Sequence, residues 1–137
     1  DLELAKLLTL LSPDDVDLVK LKYDIMTETT SDGSELATII TELKDELIKF
    51  DMASPIRSAL SNAYIKRGES EATASLRVSL VMASTIDEYH EIKDKAIEIC
   101  QQQPDSHAYR LLSDVYNTLG MTTDADASMS EADRMEN

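Results

Sequence analysis

His90, His107 and Cys100 are the only histidines and cysteine in the chain, set among 27 Asp and Glu, and these are the side chains from which catalysis or metal binding would be built. Zinc sites pair histidines or cysteines at short spacing, and neither histidine has a second ligand of that kind nearby, so no zinc site is expected. A single cysteine forms neither an intramolecular disulfide nor a CxxC pair. In Ile97-Glu98-Ile99-Cys100 it reads as a small buried hydrophobe. The run Asp124-Ala-Asp126-Ala-Ser128-Met-Ser130 resembles the start of a calcium loop, yet that loop needs Gly at its sixth position and Glu at its twelfth. Met129 and Met135 stand there. His90, in Tyr-His-Glu-Ile-Lys, lacks the small neighbours that a phosphoaccepting histidine needs, and is expected to be exposed on a helix. Carboxylate pairs such as Asp87 with Glu88, and Asp14 and Asp15 with Asp17, fall where helices begin. Helix starts favour negative charge without any catalytic role, whereas acid–base catalysis needs two carboxyls held in a cleft with divergent pKa values. No glycine-rich phosphate loop occurs. The expectation is a protein that is not an enzyme and uses no cofactor or metal.

The chain of 137 residues is the length of one domain, and 13 Lys and Arg give it a formal charge of -14 and a pI near 4.3. Direct binding to a nucleic-acid backbone is not expected, because that needs concentrated cation. Hydrophobic residues at 42% support a packed core. With five Tyr, one Phe and no Trp, that core must be mainly aliphatic. Three Gly and three Pro leave few turns, and Ala, Leu, Glu, Lys and Met are plentiful, so the class read from composition is all-α. The longest apolar stretch, Leu2 to Leu11, is too short for a membrane span and contains Glu3 and Lys6. Localisation stays open, since the chain begins at Asp1 with no signal peptide in view.

The elements that must position these residues are marked by their ends. Ser12-Pro13-Asp14-Asp15 and Ser54-Pro55 place a capping hydroxyl before proline. Thr85 with Glu88 fits a capping box, and Thr123 with Asp126 is a weaker acidic version. Breaks fall at Ser31-Asp32-Gly33, Gly68, Pro104-Asp105 and Gly120. Between them Leu36, Ile39, Ile40, Leu43 and Leu47 repeat at helical spacing, as do Ala108, Leu111, Leu112, Val115, Tyr116 and Leu119. The spacing predicts helices near 2–11, 13–30, 35–50, 55–67, 69–83, 86–102, 106–119 and 121–135, seven or eight in all. Connections of two to five residues force successive helices to fold back antiparallel. The expected organisation is one all-α domain over 1–137, with N-terminal hairpins in 1–50 and a helical repeat in 55–137.

From Pro104 onward, Tyr109, Leu112, Ser113, Tyr116, Gly120, Ala125, Met129 and Ala132 follow a pattern that resembles the tetratricopeptide repeat, a 34-residue helix–turn–helix unit. The match is clear over 106–135. Ser113 departs from the usual Gly or Ala, and Met129 from the usual aromatic. A weaker copy over 55–82 begins with Leu60-Ser61-Asn62-Ala63-Tyr64 and ends its first helix at Gly68, but Thr73 and Arg77 interrupt its second helix. Tyr64 and Tyr116 are 52 residues apart, so either an odd helix intervenes or the pairing runs backwards from the end, joining 69–83 to 86–102. The resemblance implies antiparallel hairpins stacked as a short right-handed helical repeat. It also implies a concave groove lined by the first helix of each hairpin, with Tyr109, Leu112 and Tyr116 serving the fold. Groove-facing positions would be His107, Arg110, Asp114 and Asn117, and in the weaker copy Ser58, Asn62 and Lys66. A carboxylate clamp is not implied, because Ser58 and Asp114 replace its residues.

The function this implies is a non-enzymatic protein-interaction module, an adaptor, assembly factor or secretion-type chaperone that holds a peptide or helix of a partner protein. Residues 1–50 carry 5 positive and 12 negative charges, and 101–137 carry 2 and 7, so a basic partner would be steered to either end. The same acidity fits a second reading, a DNA-mimicking inhibitor of a nucleic-acid-binding protein. A third is the terminal segment of a longer helical solenoid, in which the Leu2 to Leu11 stripe meets a neighbour. A homo-oligomer is compatible with all three.

Overall fold

A computed structural model describes residues 2–136, and they form eight helices with no strand among them. The helices are α1 (Leu2–Leu11), α2 (Val16–Thr29), α3 (Gly33–Lys49), α4 (Ser54–Arg67), α5 (Glu71–Met82), α6 (Ile86–Gln102), α7 (Ser106–Thr118) and α8 (Thr122–Glu136). The all-α class is as composition predicts. Contacts divide the chain into two compact units, with the division after Gly68, so α4 belongs with the first three helices and α5 opens the second unit.

In the first unit α2 packs against α1, α3 and α4, and α3 packs along α4. The predicted stripe of α3, Leu36, Ile39, Ile40, Leu43 and Leu47, is buried throughout. Ile56, Ala59, Leu60, Ala63 and Tyr64 of α4 are buried in turn, so the repeat-like stretch Leu60 to Gly68 supplies the core face of α4. Each fully buried leucine or isoleucine here contributes about 1.5–3 kcal/mol. Three predicted starts are corrected. Ser12 does not cap α2, because its own N–H donates to Leu8 O and so belongs to the end of α1; Asp15 caps instead, accepting from the N–H groups of Asp17 and Leu18. Ser54 lies inside α4, whose capping position is Ala53 with no side-chain bond. Thr123 lies inside α8.

In the second unit α5 packs against α6, α6 against α7, and α7 against both α8 and α5. The pairing of α5 with α6 is the one counted backwards from the end. The core joins Leu76, Ile92, Ala96, Cys100, Ala108, Leu111, Leu112 and Val115, with Tyr109, Tyr116 and Leu119 half-buried around it. Ser113 is buried, and its hydroxyl donates to Ala125 O of α8 at 2.9 Å. The hydroxyl thus finds a partner across the close crossing that Ala125 and Ala132 permit. Gly120, at φ 78°, turns α7 into α8, and Met121 N–H closes the turn on Tyr116 O. The two hairpins share a burial pattern. Ser70 and Asp105 each cap a helix by accepting the N–H three residues on. Buried Thr73, Leu76 and Val78 stand 35 residues before buried Ala108, Leu111 and Ser113.

Between α3 and α4 two side-chain-bearing residues, Asp51 (φ 53°) and Met52 (φ 61°), adopt left-handed backbone. Met52 N–H donates to Leu47 O at 2.7 Å, so the turn is fastened despite the conformation. Left-handed backbone is costly for residues other than glycine. Asp51→Gly is expected to raise stability by about 0.5–1 kcal/mol, read from urea unfolding; a fall in stability would rule out the left-handed turn.

Candidate functional site

The polar side of α7 carries four of the residues chosen from sequence. Asp105 starts the helix by accepting from Ala108 N–H at 2.8 Å, which sets His107, Arg110, Asp114 and Asn117 on successive turns. The structure sends them in two directions. Asp114 is exposed and accepts from Nη1 of Arg77 on α5 at 2.9 Å, and the carbonyl of half-buried His107 accepts from Nη2 of the same arginine at 3.5 Å. Asn117 is exposed further along the helix. Arg110 instead reaches α8. Its Nη2 donates to Glu136 Oε2 at 2.6 Å and Asp133 Oδ1 at 3.2 Å, and its Nη1 lies 3.3 Å from Met129 Sδ. The hydrogen bond from Arg110 is the main cause that holds the Glu136 carboxyl below the usual carboxylate range.

Arg77 is the residue that sequence reasoning missed, because it stood out only as a departure from a repeat pattern. Its side chain is 11% exposed, and its Nε donates to Glu69, whose side chain is fully buried. A buried carboxylate is tolerated where a cation sits on it, and here one guanidinium serves Glu69, Asp114 and a backbone carbonyl. The signal was present in sequence as an arginine among the apolar positions of α5.

Ser58, Asn62 and Lys66 are exposed on α4 in the first unit, so they form a set of their own. Asn62 and Lys66 line a groove of about 450 Å³ with Leu21, Asp24, Ile25 and Glu28 of α2, and Ser58 lies outside it. A second groove of about 360 Å³ runs beside α1, α2 and α3 and includes Lys6, Glu35 and Glu42.

No family model, curated protein or solved structure matches the chain. Function must therefore be read from its own side chains.

Cys100 is buried in the second core, and burial, with Asp105 nearby, pushes its thiol pKa up to about 11, far from a reactive thiolate. His90 is exposed, with Nδ1 3.2 Å from Lys93 Nζ. Asp124, Asp126 and Ser128 are wound into α8 and form no loop. Among the described residues no group of three or more His, Cys, Asp or Glu is gathered as a metal ion would require, and no helix is long and apolar enough to cross a membrane.

Two outcomes follow from the charge geometry. Arg77→Met removes the Nε donor to the buried Glu69 carboxylate and is expected to cost about 1.5–3 kcal/mol, with part regained on adding Glu69→Gln; urea unfolding of the two variants checks this. Glu136 is a carboxyl whose pKa is lowered by folding, so its contribution is present above the ordinary glutamate range and is lost as pH falls through the folded value. Carbon-detected NMR titration is expected to place Glu136 below unpaired glutamates, and Arg110→Met to move it up toward them, with the Ser106 hydrogen bond retained.

Proposed function

We propose that the chain is a non-enzymatic protein-interaction module, a tetratricopeptide-like helical repeat acting as an adaptor, assembly factor or secretion-type chaperone. Its binding face would be the polar side of α7 next to α5, where a peptide or helix of a partner protein is held. The observation that carries the reading is the packing of α7 against α5, α6 and α8 at once, with the cap and burial pattern of α5 recurring 35 residues later in α7. A recurrence close to the 34-residue repeat length supports two stacked hairpins, and stacking lays first helices side by side. Asn117 and His107 are the polar side chains on that side, with Asp114 beside them in its ion pair with Arg77. Arg110 is held by Asp133 and Glu136 and is assigned to the hairpin. Asn62 and Lys66, on the wall of the α2–α4 groove, offer a second polar contact line in the first unit.

Affinity capture from a lysate of the organism that makes the chain tests this, with washes up to about 0.5 M salt, where surface charge attraction is strongly screened. The expected result is a partner that survives the wash and is lost roughly tenfold, a change of about 1.4 kcal/mol, from Asn117→Ala, at an exposed position outside the Arg77 ion pairs and so of unchanged melting temperature. Capture of basic, nucleic-acid-binding proteins alone, all released by salt, would replace this reading with charge mimicry.

A further inference from the structure

Helix α1 is apolar on two sides. Ala5 is buried and Leu2 and Leu8 are half-buried on the side that meets α2. Leu7, Leu10 and Leu11 on the other side are 53%, 80% and 73% exposed, and Leu4 is exposed beside them. A single exposed leucine is ordinary, but four on one face of a ten-residue helix form a continuous patch of the kind that marks an interaction site.

The surroundings of this patch say what can cover it. The last turn of α1 has no basic residue, so the negative end of the helix dipole lies uncompensated within the helix beside Leu10 and Leu11. The chain runs from there into exposed Asp14, Asp15 and Asp17. Asp15 is engaged as the cap of α2, whereas Asp14 has Lys49 at 3.9 Å and a side chain 93% exposed. An apolar stripe that ends in negative charge is complementary to an apolar stripe that ends in positive charge. A second copy of this chain, itself at -14, and an anionic lipid surface both bring the wrong sign. We propose that the outer face of α1, with Asp14 and Asp17 at its end, docks an amphipathic helix of a partner protein whose apolar stripe ends in lysine or arginine. This site lies in the first unit and stands whether or not the α7 face binds.

Fluorescence anisotropy with the full chain and labelled synthetic peptides tests the proposal. The probe is a Leu/Lys peptide with leucines at helical spacing; its controls are the same composition with leucines scattered and a Leu/Glu version. The helical Leu/Lys peptide is expected to bind, and the controls to bind at least roughly tenfold more weakly. Leu10→Gln/Leu11→Gln, at exposed positions and with good helix formers, is expected to weaken binding about tenfold. Asp14→Asn/Asp17→Asn is expected to weaken it several-fold at physiological salt and to flatten its salt dependence, with Asp15 left to cap α2. Circular dichroism confirms that both variants fold, and Leu7→Gln is the substitute if the first does not. Binding unchanged in the leucine variant would reduce the contact to nonspecific charge attraction and overturn the proposal. So would a concentration-dependent dimer of the free chain that the leucine variant abolishes, which would make a second copy the occupant. Binding to phosphatidylcholine vesicles that is lost in the leucine variant, with no peptide binding, would assign the face to lipid and overturn it as well.

Discussion

A helix of ten to seventeen residues with one apolar stripe is marginal alone in water, because nucleation is costly and each turn returns little until its stripe is covered. Every helix here except α1 is of that kind or shorter in its apolar reach, and the links between helices are too brief to let any of them wander. Neighbour must therefore cover neighbour. In the first unit α2 is the shared partner, meeting α1, α3 and α4; in the second α7 plays that part. With so few aromatic side chains, the covering is done by leucine, isoleucine, valine and alanine, whose small faces let helices approach closely, as where Ser113 of α7 meets Ala125 of α8.

Polar groups then sort into two kinds according to what the packing leaves them. Glu69 and Arg77 are taken into the second unit, where they form an ion pair, and Arg77 also donates to Asp114 and the His107 carbonyl of α7. Tyr23 is buried against α3, and burial followed by the charges of Glu42 and Glu46 raises its hydroxyl pKa, which keeps it neutral. Outer carboxylates remain solvated and give the chain its acidity. A binding surface on such a protein gains specificity from the few uncharged or apolar breaks in that field, more than from the field itself.

Helix existence was legible in the chain because the ends were chemically marked. Thr85 does accept from Glu88 N–H, and Gly68 and Gly120 do take left-handed backbone. The stripes of α3 and α7 were legible for the same reason that they pack. Where reading failed, a local rule competed with a neighbouring one: Ser12-Pro13 had the form of a cap, but the hydroxyl-bearing residue was already bound to the preceding helix. The left-handed turn at Asp51 and Met52 had no marker, since neither is glycine. The candidate site was legible only as a set of positions on one side of α7. Spacing assigns Arg110 and Asp114 to a common face, yet the reach of an arginine and the carboxylates of α8 decide where it goes. A contact such as Arg77 with Asp114, 37 residues away, leaves no trace in local pattern.

The solitary thiol of Cys100 sits in the core of the second unit, with no counterpart in the first. In its folded surroundings it is both sheltered and protonated, so an alkylating reagent reaches it only when the helices around it part. Its modification rate under native conditions is then the intrinsic thiolate rate multiplied by the fraction of time the second unit stands open. The chain carries its own clock for the breathing of one half, silent to the other, without the addition of any label.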